Sequence, residues 1–247
     1  MDELNKVTNL AKDTLRNRYA ELPRIENPEN RVIFARHIAR SESHSRIVDM
    51  LKLAESEPGI AVTSAQLDVD PWALNVLNGT LDLPTGQLRE HRQDDLITKL
   101  APVEYNPEAE CPTWLVFLHR ILGGDADFIR YVQKAVGYSL TGSTAKQCLF
   151  VLHGTGANGK STLIQTIRAL LGDYAMQTPA ETLLLKSSDG PRSDLARLRG
   201  ARFVAAVEVE QGRRLNEVLV KPLTGGDTVT ARHLYGEFFE YQPTYKL

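Results

Sequence analysis

Gly154, Gly159, Lys160 and Ser161 stand at the spacing G-x-x-x-x-G-K-[ST], within His153-Gly154-Thr155-Gly156-Ala157-Asn158-Gly159-Lys160-Ser161-Thr162. Residue types in this order suit the binding of a polyphosphate. The glycines let the backbone curl with its N–H groups pointing inward, and a helix beginning at Lys160 adds the positive end of its dipole. Lys160 carries a mobile charge for the β- and γ-phosphates, and the Ser161 hydroxyl is a ligand for Mg²⁺. A chance glycine-rich turn is the plain alternative. It is disfavoured only if the loop joins a strand to a helix, so the flanks decide.

Both flanks comply. Residues 148–152, Cys-Leu-Phe-Val-Leu, form a continuous apolar run of strand length, which predicts a buried parallel strand. After the loop, Leu163, Ile164, Ile167, Leu170 and Leu171 recur at helical spacing, and Gly172 can end the helix. A second apolar run, Phe203-Val204-Ala205-Ala206-Val207, leads into Glu208-Val209-Glu210. A strand ending in acid is what a phosphate loop needs as a partner, since a carboxylate there can hold Mg²⁺ through water or activate the attacking water. On a continuing strand, Glu208 and Glu210 would share one face. Both are candidate catalytic groups beside Lys160.

Composition limits the other options. Hydrophobic residues make up 42% of the 247 and charged residues 24%, an ordinary globular balance. There is no apolar run of about 18 residues for a membrane span, and the first residues lack the basic start and apolar core of a signal peptide. Cys111 and Cys148 suggest neither a disulfide framework nor a zinc site, and the six histidines show no metal-ligand spacing, so a cytoplasmic setting is expected. With 29 Lys and Arg against 31 Asp and Glu, a nucleic acid would have to meet a local basic surface.

The elements that would position this chemistry can be read in order. Residues 1–56 read as helical, with an apolar stripe at Leu4, Val7, Leu10, Ala11 and Leu15. A second helix or helix pair follows the break from Pro23 to Pro28, and its polar face carries Arg36, His37, Arg40, His44 and Arg46. Such a basic face is more often a solvated surface than a nucleic-acid site. Residues 57–145 contain a loop, then a β-hairpin near 79–91 signalled by Asn78-Gly79 and Pro84-Thr85-Gly86, with Trp72 and Leu74 as core residues. Two helices follow, around 114–122 and 128–136, the second capped by Asp125. The small residues of 137–145 read as a linker, and residues 146–247 as the nucleotide-binding core. Within it, 173–200 reads as irregular, 213–220 as a helix ended by Pro222, and 228–241 as a hairpin with its tip at Leu234-Tyr235-Gly236-Glu237. An Arg and an aromatic on a projecting hairpin can contact nucleic acid, as readily as they can decorate an ordinary surface hairpin.

Taken together, these residues resemble the superfamily 3 helicases, and among them the phage and plasmid primase-helicase family with its poxvirus relatives. The resemblance rests on Asp70-Pro71-Trp72 to Asn78-Gly79, on Gly137 to Gly142, on the loop with Asn158 before Gly-Lys-Ser, on Asp194 to Arg202, and on Lys221 with Leu223 to Asp227 and Ala231 to Tyr235. It implies an α/β fold with a parallel-sheet, AAA+-like P-loop NTPase core preceded by a mostly helical domain. It implies ATP and Mg²⁺ as cofactors, a homo-hexameric ring, and single-stranded DNA in a central channel gripped by Lys221, Arg232 and His233. A bacterial host cell, with a phage or mobile element as source, is the setting it suggests. Where the family often has Glu-Thr-Glu-Glu, this chain has Glu208-Val209-Glu210-Gln211. Which glutamate is the base therefore stays open, with Glu208 favoured for the metal. The strand bearing a polar sensor residue, and the arginine finger after it, are expected beyond Leu247, so the core is read as incomplete at its C-terminal end. Two other readings compete: a P-loop kinase of a small molecule, and a non-catalytic module binding ATP, DNA or a replication partner.

Overall fold

The computed structural model describes residues 6–57, 59–185, 192–207 and 213–247. They divide into two units, one within 1–66 and one within 67–247.

The first unit is helical. It comprises α1 (Lys6–Asn17), a 3-10 segment Arg18–Arg24, α2 (Pro28–Ser41) and α3 (His44–Ala54). Asn27 caps α2 by accepting hydrogen bonds from the Glu29 and Asn30 amides, and Pro28 at the first helical position lacks only an N–H that would have no partner inside the helix. The anticipated second helix is thus a pair. Its core is small: Ala11, Ile38 and Ile47 are buried, whereas Val7, Leu10, Val32, Ile33 and Leu53 are exposed.

The second unit opens with an antiparallel meander, β1 (Ala73–Val76), β2 (Gly79–Asp82) and β3 (Gln87–Arg89), in the order β1-β2-β3. This is the hairpin predicted near 79–91 with one further strand. Leu74 is buried as expected, but Trp72 is 44% exposed, because it precedes the first ladder pair, Ala73↔Asp82. Helices α4 (Pro112–Ile121) and α5 (Ala126–Leu140) follow. The Asp125 carboxylate caps α5 by accepting from the Asp127 and Phe128 amides, each at 3.0 Å. Helix α5 runs on to Leu140, so only the second half of the predicted linker lacks helical structure. Gly137 lies inside the helix, where a glycine costs about 0.5–1 kcal/mol relative to alanine.

Next come α6 (Lys160–Leu171), β4 (Ala175–Pro179), the short α7 (Ser193–Ala196), β5 (Phe203–Val207), α8 (Glu217–Gly225), and the antiparallel pair β6 (Val229–Arg232) and β7 (Phe238–Tyr241). Strands β4 and β5 are parallel, paired from Ala175↔Phe203 to Pro179↔Val207. Residues 245–247 lie along the other side of β5: the Lys246 amide donates to Arg202 O at 2.9 Å, and Val204 N to Lys246 O at 2.9 Å. Beside them the Phe150 amide donates to Leu247 O at 2.8 Å.

Two sequence expectations change here. Residues 148–152 do not form a regular strand; Leu149 and Phe150 are half-buried, while Val151 and Leu152 are 75% and 42% exposed. The cause is the neighbour: Phe150 meets Leu247, and among the described residues nothing runs alongside Val151 and Leu152. Residues 245–247 hold the sheet position next to β5 through the parallel bridge Phe203↔Lys246. Pro222, read as a helix terminator, lies inside α8. The N–H it lacks would have bonded the Val218 carbonyl one turn back, and Val218 is 84% exposed, so water can serve that carbonyl.

Two apolar clusters hold this unit. One joins Leu195, Leu198, Ala201, Val204, Leu223, Val229, Ala231, Tyr241 and Tyr245. The other joins Leu74, Val76, Leu81 and Leu118 to Leu163, Ile167, Leu171 and Tyr174. The buried face of α6 thus packs on the meander and on α4, and each of its three buried aliphatic side chains contributes about 1.5–3 kcal/mol.

Candidate functional site

The segment 153–159 joins Leu152 to the N-terminus of α6 and is exposed from His153 to Ala157. Its path needs residues that tolerate unusual backbone angles: Gly154 has φ +155°, Ala157 +59° and Gly159 +83°. Gly159 is required twice over. It sits in the left-handed region, and a Cβ there would lie 2.6 Å from Ile121 Cγ2 and 3.3 Å from Phe117 Cε2. Helix α4 therefore presses directly on the loop, and the loop is fixed at its α6 end by the second apolar cluster.

Lys160 folds back into the curl of the loop. Its ammonium donates to Gly154 O at 2.9 Å, Asn158 Oδ1 at 2.8 Å and Thr155 O at 3.4 Å. All three acceptors are neutral, and among the described residues no carboxylate pairs with it. A cation held by neutral oxygens at the N-terminus of a twelve-residue helix is an electropositive feature suited to an anion. Ser161 and Thr162 lie exposed in the first turn of α6. The structure thus brings Gly154 to Thr162 together. Glu208 and Glu210 lie outside the described residues, as do Lys186, Gln211 and the period-2 relation expected between the two glutamates. Strand β5, which leads to them, ends at Val207.

Lys221 is exposed on α8. Arg232 and His233 lie at the end of β6, where the register pairs Arg232 with Phe238 and Ala231 with Phe239. The Arg232 guanidinium sits 4.8 Å over the Phe238 ring, and His233 stacks on Phe239 at 5.4 Å. At the tip the Gly236 amide donates to His233 O at 3.0 Å, and Tyr235 adopts φ +61° with 99% of its surface exposed.

Sequence reading missed two buried cations. Arg202, 6% exposed, donates to Leu140 O, Asp70 O and Ala73 O at 2.8, 3.1 and 2.7 Å and lies 4.6 Å over the Tyr174 ring. Lys246, 2% exposed, donates to Thr141 O and to Ser143 O, and lies 4.7 Å from the Tyr138 ring centre. Burial lowers both pKa values, that of Lys246 to about 7, with the nearby Arg202 charge acting in the same direction. Arg202 ends a run of basic residues that includes Arg192, Arg197 and Arg199. Its burial ties that end of the run to the carbonyls below α5. Among the described residues no cluster of His, Cys, Asp and Glu could hold a metal on its own, and no helix is long and apolar enough to cross a membrane.

Residues 2–123 match the family model described as D5 N terminal like. A protein of Acanthamoeba polyphaga mimivirus named as a helicase is 30% identical over 187 residues, 73% of this chain and 19% of that protein. A protein of African swine fever virus (isolate Warthog/Namibia/Wart80/1980) named as a primase is 25% identical over 186 residues, 72% of this chain and 19% of the relative. A Frog virus 3 (isolate Goorha) protein named as a helicase is 30% identical over 123 residues, 47% of this chain and 12% of the relative. The chain thus spans 19% or less of the length of these relatives. The matches support a primase-helicase family of replication proteins.

Proposed function

We propose that this chain is part of the motor of a replicative primase-helicase, binding and hydrolysing ATP to drive movement along DNA. The observation that carries this is the curl 154–159 with Lys160 turned into it. The relatives' names supply the helicase class. The parallel placement of β4, β5 and residues 245–247, with 148–150 beside them, is the support expected of a P-loop NTPase sheet.

The donor set fits ATP with Mg²⁺. Loop amides and the start of α6 bind the β-phosphate. Lys160 exchanges three neutral acceptors for phosphate oxygens, whose negative charge adds a Coulombic attraction that carbonyl and amide oxygens lack. The Ser161 hydroxyl, with Glu208 next in sequence after β5, would hold Mg²⁺, which would supply positive charge against that developing on the phosphates. Glu208 or Glu210 orients and deprotonates the attacking water. Lys221, Arg232 and His233 contact DNA phosphates, and the working form is a hexamer around a single strand.

The test is Lys160→Ala. Calorimetric titration with ATP·Mg²⁺ should show binding for the parent chain and none for the variant. Their unfolding midpoints should agree, since Lys160 bonds only a solvent-exposed loop. Equal ATP affinity in both proteins would overturn the assignment.

A further inference from the structure

We infer that Tyr235 is a base-stacking contact that makes the 228–241 hairpin selective for single-stranded nucleic acid; this rests on the reading of the hairpin as a DNA contact. Three observations converge on it. First, Tyr235 places a large aromatic ring at the outermost point of the hairpin, 99% exposed, with Leu234 and Phe238 beside it at 64% and 66%. Second, it does so at φ +61°, a backbone setting that favours Gly, Asn or Asp and that a tyrosine occupies at a cost. Glycine is available one residue later in the same turn, so turn geometry alone does not call for Tyr235. An exposed side chain that repays none of this strain by packing points to a contact made outside the chain. Third, the neighbouring polar groups suit a strand. Arg232 is held against the Phe238 face at 4.8 Å and His233 is stacked on Phe239, so a guanidinium and an imidazole line the flank while aromatic surface caps the tip.

A single strand presents phosphates and unpaired base faces together, and a groove or ridge that combines cations with aromatic platforms engages both. In a duplex the base faces are stacked on one another and closed to Tyr235. A purely apolar partner would not call for Arg232 and His233, and a purely anionic one would not call for Tyr235. The tip also carries Glu237, and Glu240 lies opposite Thr230 on β7. The phosphate path therefore follows the Arg232 side of the hairpin rather than the Glu237 side.

The experiment compares the 247-residue chain with Tyr235→Ala, Tyr235→Phe and Tyr235→Gly by fluorescence anisotropy. The probes are a labelled oligothymidylate, the same strand with abasic sites, and a duplex. The parent should prefer the intact strand to the abasic one by on the order of tenfold, the value of one stacked base. Tyr235→Ala should erase that preference, leaving duplex affinity and salt dependence unchanged, and Tyr235→Phe should keep it. Tyr235→Gly should lose the preference and raise the thermal midpoint, because strain is relieved where no packing is lost. If Tyr235→Ala still discriminates intact from abasic strands, the inference is wrong while the hairpin remains a phosphate contact. If the parent binds none of the three probes, the inference and the reading beneath it fall together.

Discussion

Lys160 and Lys246 are the same side chain used in opposite ways. Both ammonium groups donate to main-chain carbonyls of the segment they close on, and neither has a carboxylate partner among the described residues. Lys160 lies at an open loop, on a helix N-terminus whose dipole already repels it, so its contacts are ones it can exchange for an anion. Lys246 lies at the C-terminal end of α5 with Arg202, where the helix carbonyls attract cations, and both are sealed from water. The difference teaches that burial and helix polarity, more than residue type, decide whether a cation is a tool or a fastener. The buried pair is a fastener: it ties Asp70, Ala73 and the end of α5 to β5 and to residues 245–247.

The sharpest way to break this distinction is Arg202→Ala. Its removal leaves the carbonyls of Leu140, Asp70 and Ala73 without their donor, at about 1–3 kcal/mol for each buried unsatisfied group. Urea unfolding should show a loss of at least about 3 kcal/mol. Arg202→Lys should recover only part, because an ammonium cannot span carbonyls that a planar fork reaches together. A loss under about 0.5 kcal/mol, the range of ordinary surface changes, would show that Arg202 is no fastener.

Lys246 gives the next largest effect, read through pH. Its pKa is about 7 in the folded chain and 10.5 when exposed. Between those values the unfolded chain binds the extra proton, so stability rises with pH from about 7 towards 10.5 and is flat below. Each unit between the two values is worth about 1.4 kcal/mol, which gives a rise of about 3–5 kcal/mol. Burial raises the pKa values of Tyr174, Tyr241 and Tyr245, so these groups oppose the trend only where exposed tyrosines begin to ionise. Denaturant midpoints at pH 6, 7, 8 and 9 should therefore climb in the parent and stay level in Lys246→Met. Parallel curves for the two proteins would assign the climb to another group.

How much of this was legible follows from sequence distance. The glycine-rich loop, the helix after it, the Asp125 cap, strand β5 and the 228–241 hairpin are each set by residues within a few positions of one another, and spacing alone exposes them. Arg202 and Lys246 were not legible, because their acceptors Leu140 and Thr141 lie 62 and 105 residues away. Residues 148–152 carry the composition of a buried strand, yet burial depends on a partner that composition does not name. Leu247 reaches Phe150 and nothing described reaches Val151. Pro222 misled for a related reason: the carbonyl it leaves without an N–H donor belongs to Val218, which is 84% exposed, so water can donate to it instead. The resemblance to superfamily 3 helicases supplied the pairing of loop and hairpin, which no local spacing contains.

Arg232 lies between the two settings and gives the smallest effect. It is half-buried, with its guanidinium stacked on exposed Phe238 rather than locked among carbonyls. The stack fixes its direction and leaves its N–H donors for a phosphate. Replacing it should barely alter stability, since an exposed cation–π contact is worth about 0.5–1 kcal/mol. On the proposed reading of the hairpin, its effect is on DNA binding. A phosphate contact releases about one counterion, so in Arg232→Ala the slope of log affinity against log salt should shallow by roughly one. Arg232→Lys should keep the slope, because an ammonium also neutralises one phosphate, but should lose some affinity with the stack. ATP affinity should be the same in all three proteins. A slope that stays fixed in Arg232→Ala would mean that its charge meets no phosphate, and would leave it, like Arg202, as a cation spent on holding its own chain.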